Sequence, residues 1–173
     1  MKSYGIALLM FLISSPFFAQ SVFDQFDGMA GVNAVVMNKK MFDLMSKVKI
    51  DTSDKETQQY MSLIKKIDNL KVFSTSNART ALQMKLTADK HAKTAGLEEL
   101  ASQNGNGKNI RILVKPGASV TQVKELLLFI QGTAGEDTVL MSLTGDIDLN
   151  EVPALTSKMK IPGNSEIRKV LEN

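Results

Sequence analysis

From Asn109 onwards the apolar residues recur at every second position, and this change of period constrains the fold more than any other feature of the chain. NIRILVK, residues 109–115, places Ile110, Ile112 and Val114 on one side, with Arg111 and Lys115 on the other. VKELLLFIQ (123–131) and DTVLMSLTG (137–145) come next, separated by GTAGE, and each reads as a strand. In the last, Val139, Met141 and Leu143 alternate with Thr138, Leu140, Ser142 and Thr144. Three consecutive strands with connections this short pair as an antiparallel meander. A sheet with an apolar face must be covered, so the preceding chain is expected to supply helices that pack on one face, an α+β architecture.

In that preceding chain, SVFDQFDGMAGVN suits a short helix running into a glycine-containing loop, and VNAVVMN is β-branched enough for a strand. KKMFDLMSKV suits a helix with Met41, Phe42 and Met45 on one side. Ser53 and Glu56 form a capping box, with Tyr60, Leu63, Ile64 and Ile67 at helical spacing behind it. NLKVFSTSN is a strand, with Leu70, Val72 and Ser74 facing one way. Asn77 then caps a helix over ARTALQMKLTADKHAK, whose thin apolar face is Ala81, Met84, Ala88 and Ala95 alongside Leu82 and Leu86. Gly96 breaks that helix before GLEELASQ, and NGNG (104–107) reads as the turn from helix to strand.

The first 19 residues form a separate unit. Lys2, the uncharged apolar run Ile6–Ile13, and Ser14, Ser15 and Pro16 ahead of Ala19 have the layout of a secretory signal cleaved after Ala19. The run is too short to span a bilayer, which takes roughly 20 apolar residues. Residues 20–173 are expected to be one domain, periplasmic or secreted, with no stable membrane anchor after cleavage. They carry 20 basic and 18 acidic residues, a net charge of +2, with no cluster that would mark a nucleic-acid surface. There is no cysteine. Disulfides, a thiol nucleophile, cysteine-bound metal centres and a lipid-bearing N-terminal cysteine are therefore excluded.

Three features invite a chemical reading. Asp146, Asp148 and Asn150 open like a calcium loop, D-x-D-x-N, but position six is Glu151 where glycine is needed and position twelve is Ser157 where a bidentate glutamate belongs. A turn is the simpler account: Gly145 ends a strand, an aspartate satisfies free amides, and Asn150 caps a helix with Pro153 in its first turn. Asp146 and Asp148 remain candidates for metal or acid/base work if Glu125 or Glu136 is brought near. Met37, Met41 and Met45 are spaced by four, as soft thioethers for copper(I) would be, yet Met37 belongs to the preceding strand and core filling accounts for them. His91, the only histidine, lies between Lys90 and Lys93 and reads as a surface residue. The serine-nucleophile, zinc-protease and phosphate-loop patterns are missing, so no cofactor is expected.

Taken in order, the export signal, VNAVVMNKKMFDLM, LKVFST, the helix leading into GLEEL, NIRILVK, and VKELLLFIQG with VLMSLTGDIDLNEV resemble the family called domain of unknown function 4252. That family consists of small exported proteins of Gram-negative bacteria, many of them lipoproteins. The resemblance implies an α+β domain and export, and it brings no catalytic residue; without a cysteine, this chain departs from the lipoprotein relatives.

The expected function is that of a non-catalytic binding or protein-interaction module outside the cytoplasm. Its partner would be an unidentified protein, received on an open sheet face bearing Leu113, Leu127 and Phe129. The alternative is a metal-binding or hydrolytic protein that uses the Asp146/Asp148 loop.

Overall fold

A computed structural model describes residues 21–105, 107–133, 135–162 and 164–171. The expected signal segment, residues 1–19, lies outside them. The elements are β1 (Asn33–Asn38), α1 (Lys39–Met45), α2 (Lys55–Ile64), β2 (Ile67–Thr75), α3 (Ala78–Ala95), β3 (Glu98–Gly105), β4 (Lys108–Pro116), β5 (Gln122–Gln131), β6 (Thr138–Asp148), α4 (Val152–Lys158) and α5 (Asn164–Leu171). Single 3-10 turns precede β1 at Asp24–Phe26 and α4 at Leu149–Glu151. The six strands form one antiparallel sheet in the order β1-β2-β6-β5-β4-β3, so the expected meander β4-β5-β6 is present.

Alternation along each central strand sends apolar residues to both faces. Leu70, Val72, Ile112, Val114, Leu126, Leu128, Met141 and Leu143 face one way and pack with Phe42 of α1, Leu63 and Ile64 of α2, Leu155 of α4 and Ile167 of α5. Phe73, Leu113, Leu127, Phe129 and Leu140 face the other way, under Phe23, Phe26 and the α3 stripe Met84, Ala88 and Ala92. Helices thus cover both faces, not one as expected, because the sheet is apolar on both sides over most of its width.

Local chemistry accounts for the boundaries. Asn77 caps α3 by accepting hydrogen bonds from the amides of Arg79 and Thr80, and Gly96 closes it in the left-handed conformation at φ 67°. At α2 the cap is Asp54, which accepts from the amide and the hydroxyl of Thr57, instead of the Ser53 box. Ile67 is the first residue of β2, not a fourth helical contact. The segment Glu98–Gly105 is a strand paired with β4 down to Gly105 opposite Lys108, so NGNG connects two strands. EELASQNG has no alternation to announce this: it lies at the sheet edge, mostly exposed, and pairing with β4 decides its conformation.

Two bulges shape one end of the sheet. Register shifts fall between Ile67 and Asn69 in β2 and between Val123 and Glu125 in β5, at the same level on either side of β6. Between them lies Gly145, at φ 146°, where an added Cβ would come within 2.3 Å of the Lys66 carbonyl. The sheet therefore bends around a residue that only glycine can supply, and bulges of this kind re-aim side chains.

Candidate functional site

The face under α3 is apolar for only part of its length. Next to Phe73, Leu140 and Phe129 the cross-strand row is Lys71, Ser142 and Leu127, and the row after that is Asn69, Thr144 and Glu125. Polar residues on a covered face are costly unless they are paired or have a use. Here they gather beneath the C-terminal half of α3 and the N-terminal 3-10 turn, around a cleft of roughly 400 Å³ lined also by Ser21, Val22, Phe23, Asp24 and His91.

Each wall of the cleft holds a carboxylate in contact with a nitrogen group. Lys71 Nζ donates to Asp24 Oδ1, which the 3-10 turn presents. Across β6, His91 Nε2 and Glu125 Oε1 are 2.6 Å apart, their side chains 21% and 13% exposed. The Phe23 ring meets the imidazole edge-on, with centroids 5.0 Å apart, and fixes its orientation. Between the pairs, β6 contributes the floor. Thr144 Oγ1 accepts a long, 3.5 Å hydrogen bond from Asn69 Nδ2, while the hydroxyl of Ser142, a residue only 7% exposed, makes no hydrogen bond among the described residues and lines the cleft.

Chemically, the cleft offers unused capacity of both signs. One carboxylate oxygen remains on each of Asp24 and Glu125, two N–H donors remain on Lys71, and two hydroxyls serve either role. No group of three or more His, Asp or Glu residues able to hold a metal ion occurs among the described residues. Such an arrangement is chemically able to hydrogen-bond a polar molecule.

Of the residues singled out from the sequence, His91 and Glu125 line the cleft and the others lie elsewhere. Leu113, Leu127 and Phe129 are 6%, 0% and 3% exposed beneath α3, so the open face expected to bear them is closed within the chain itself. Asp146 bonds Lys124 Nζ at 2.9 Å on the surface, and that hydrogen bond and charge hold its carboxyl below the usual range. Asp148 accepts a hydrogen bond from the Asn150 amide at 3.0 Å and so caps the 3-10 turn. An aspartate does satisfy a turn amide, as expected, but β6 continues through Gly145 to Asp148, and Asn150 does not cap α4. Glu125 turns away from this loop onto His91, and Glu136 sits in the β5–β6 connection, bonded to the Thr133 amide and paired with Lys108. His91, expected at the surface, is a wall of the cleft. Met37 is buried in β1 while Met41 is 45% exposed on α1, so the three methionines do not form one stripe.

One signal for the cleft is present in the sequence. In KELLLFIQ the period of two puts Glu125 on the same side as Leu127 and Phe129, a charge on a face that has to be covered.

No curated protein and no solved structure matches the chain. A family model does match, over residues 26–155, and this span takes in β1 through most of α4 together with Lys71, His91, Glu125, Ser142 and Thr144. The chain belongs to the family described as domain of unknown function 4252.

Proposed function

We propose that the protein is an exported, non-catalytic binding module and that the cleft between α3, the N-terminal turn and the sheet is its binding site. The observation that supports this is the gathering of Lys71, Glu125, Ser142 and Thr144 on a helix-covered sheet face, with Asn69 exposed at its rim and hydrogen-bonding capacity left over. A purely structural role would call for apolar residues there, as on the opposite face. The volume and the few convergent polar groups are those of a small-molecule site. NMR-detected screening of the purified protein tests it: bound ligands should shift the amides of Asn69, Ser142 and Thr144, and hits that map elsewhere would end this assignment. Export rests on the Lys2 to Ala19 layout. Fractionation of cells carrying a C-terminally tagged chain should place it outside the cytoplasm with Gln20 first; a cytoplasmic chain that keeps Met1 would refute that part.

A second reading, a protein partner, has its own support at the sheet edges. β3 is a guarded edge, with exposed Glu98 and Glu99 and a bulge before Ala101. β1, NAVVMN, carries no charge and pairs with β2 without a register shift. Val35 and Val36 are exposed on it, as are Met41 and Leu44 on the adjoining α1. An extended segment of a partner polypeptide could add there as a seventh strand. A photo-crosslinker at Val36 should then capture one stoichiometric polypeptide and Val35→Lys should release it; a blank capture in the native envelope would discard this reading.

A further inference from the structure

Resting on the reading of the cleft as a binding site, we infer that its ligand is a small zwitterion carrying one carboxylate and one ammonium group, the chemistry of a free amino acid or a short peptide. The polarity of the cleft carries this. Free donors are concentrated at the β2 wall, where Lys71 Nζ gives one hydrogen bond to Asp24 and retains two. A free carboxylate oxygen remains at both walls, on Asp24 and on Glu125, but the β5 wall, where Glu125 uses Oε1 on His91 and retains Oε2, has no ammonium donor beside it. β2 and β5 are separated by β6 alone. At about 4.8 Å between neighbouring strands, the two walls stand about 10 Å apart at the backbone, and their side chains reach inward across the hydroxyls of Ser142 and Thr144. A ligand whose carboxylate meets Lys71 and whose ammonium meets Glu125 matches this dipole end for end.

Other classes match it less well. An anion would meet two carboxylates, Asp24 and Glu125, against the single ammonium of Lys71. A simple amine would leave the Lys71 donors unused and face its charge. Polyols would find hydrogen bonds but nothing for the opposed charges to act on. The aromatic ring placed to stack a sugar, Phe23, is 1% exposed and its edge already meets His91.

The experiment is calorimetric titration of the purified protein with the amino acids and alanyl dipeptides, each compared with its N-acetyl, its C-amide and its decarboxylated form, and with glucose and glycerol as neutral polyols. The isosteric variants Lys71→Met and Glu125→Gln are run in parallel, with melting curves to confirm that they fold. Zwitterions are expected to bind. Blocking either end should weaken binding at least tenfold, with Glu125→Gln removing the preference for a free amine and Lys71→Met the preference for a free carboxylate. Equal affinity for blocked forms, or binding of the polyols alone, would overturn the zwitterion while leaving the cleft as the site. Zwitterions that bind both variants unchanged, or no binding by any compound at about 10 mM, would overturn the cleft as well.

Discussion

On β5, Leu126, Leu128 and Ile130 point to one face of the sheet while Glu125, Leu127 and Phe129 point to the other, and the two sets differ in more than composition. The first face is closed by α1, α2, α4 and α5 over strand side chains that are apolar from β2 to β4, with Ser74 at the far end of β2 as the buried exception. The second is closed by one long helix and a 3-10 turn; the polar cleft residues occupy one end of it and the buried threonines Thr75 and Thr138 the other. The same backbone builds both, so the difference comes from side chains alone. A face needed only for stability is filled with apolar groups, since each buried CH2 contributes about 0.8 kcal/mol. A face that keeps Lys71, Glu125 and two hydroxyls forgoes some of that stability, which the proposed binding role would account for.

The largest expected effect tests whether the apolar part of the second face is core at all. Phe129→Asp should prevent folding, because an unpaired carboxylate would sit among Phe73, Leu127 and Leu140. Circular dichroism and expression yield will show it. A folded Phe129→Asp protein that had lost a partner would restore the open-face expectation and remove the contrast between the faces. Leu128→Ala, one residue away on the first face and fully buried, should cost about 3 kcal/mol in urea denaturation, the middle of the range for such truncations. A loss under about 1 kcal/mol would mean that the first face is loosely packed.

Legibility from sequence divides along the same line. The meander and the inward residues of β4, β5 and β6 follow from period two, which a one-residue slip would invert throughout. The buried side of α3 differs from its expected face: Leu82 and Leu86, its largest apolar residues, are 56% and 59% exposed, while the contact stripe is Thr80, Met84, Ala88 and Ala92. Small residues let the helix lie close to the sheet, and a scale that rewards size overlooks them. β3 carries no pattern of its own. The cleft is least visible, since His91 and Glu125 are 34 residues apart on different elements and meet only once α3 crosses β5. No spacing rule encodes that meeting.

Beyond the bulges the chain returns to ordinary turn chemistry, which Asp148→Ala measures. Loss of its hydrogen bond to the Asn150 amide should cost about 1 kcal/mol, equally with and without millimolar calcium. A melting temperature that rises with calcium in the parent and not in this variant would make the loop a metal site and add a second functional region. At the β3 end of the second face, under the same half of α3 as the cleft, Arg111 bonds Asp89 at 2.6 Å and Glu99 at 3.1 Å. Partial burial pushes the Asp89 carboxyl up, but hydrogen bonds and charge from Lys85 and Arg111 prevail and hold it below its ordinary 3.8. A carboxyl depressed in the folded state binds its proton more readily when unfolded. The stabilisation is therefore complete above pH 3.8 and disappears as pH falls through the lower, folded value. Arg111→Met should cost less than about 1 kcal/mol at neutral pH, given the exposure of the pair, and should flatten the acid limb of the stability curve. An unchanged acid limb would show that this polar end is not structural.

The smallest expected change in stability separates the two kinds of polar group on the second face. Ser142 is buried in the middle of the sheet, on β6 between Lys71 and Leu127, and its hydroxyl makes no hydrogen bond among the described residues. If the hydroxyl is there for the fold, removing it should destabilise, as losing a made hydrogen bond does by about 1 kcal/mol. If it is there for a ligand, Ser142→Ala should leave the unliganded protein within about 0.5 kcal/mol of the parent, because no hydrogen bond within the chain is broken. The same variant should weaken ligand binding several-fold in calorimetric titration. Stability unchanged and binding weakened is a combination that a structural serine does not produce, and the reverse combination would make the second face as much a packing surface as the first.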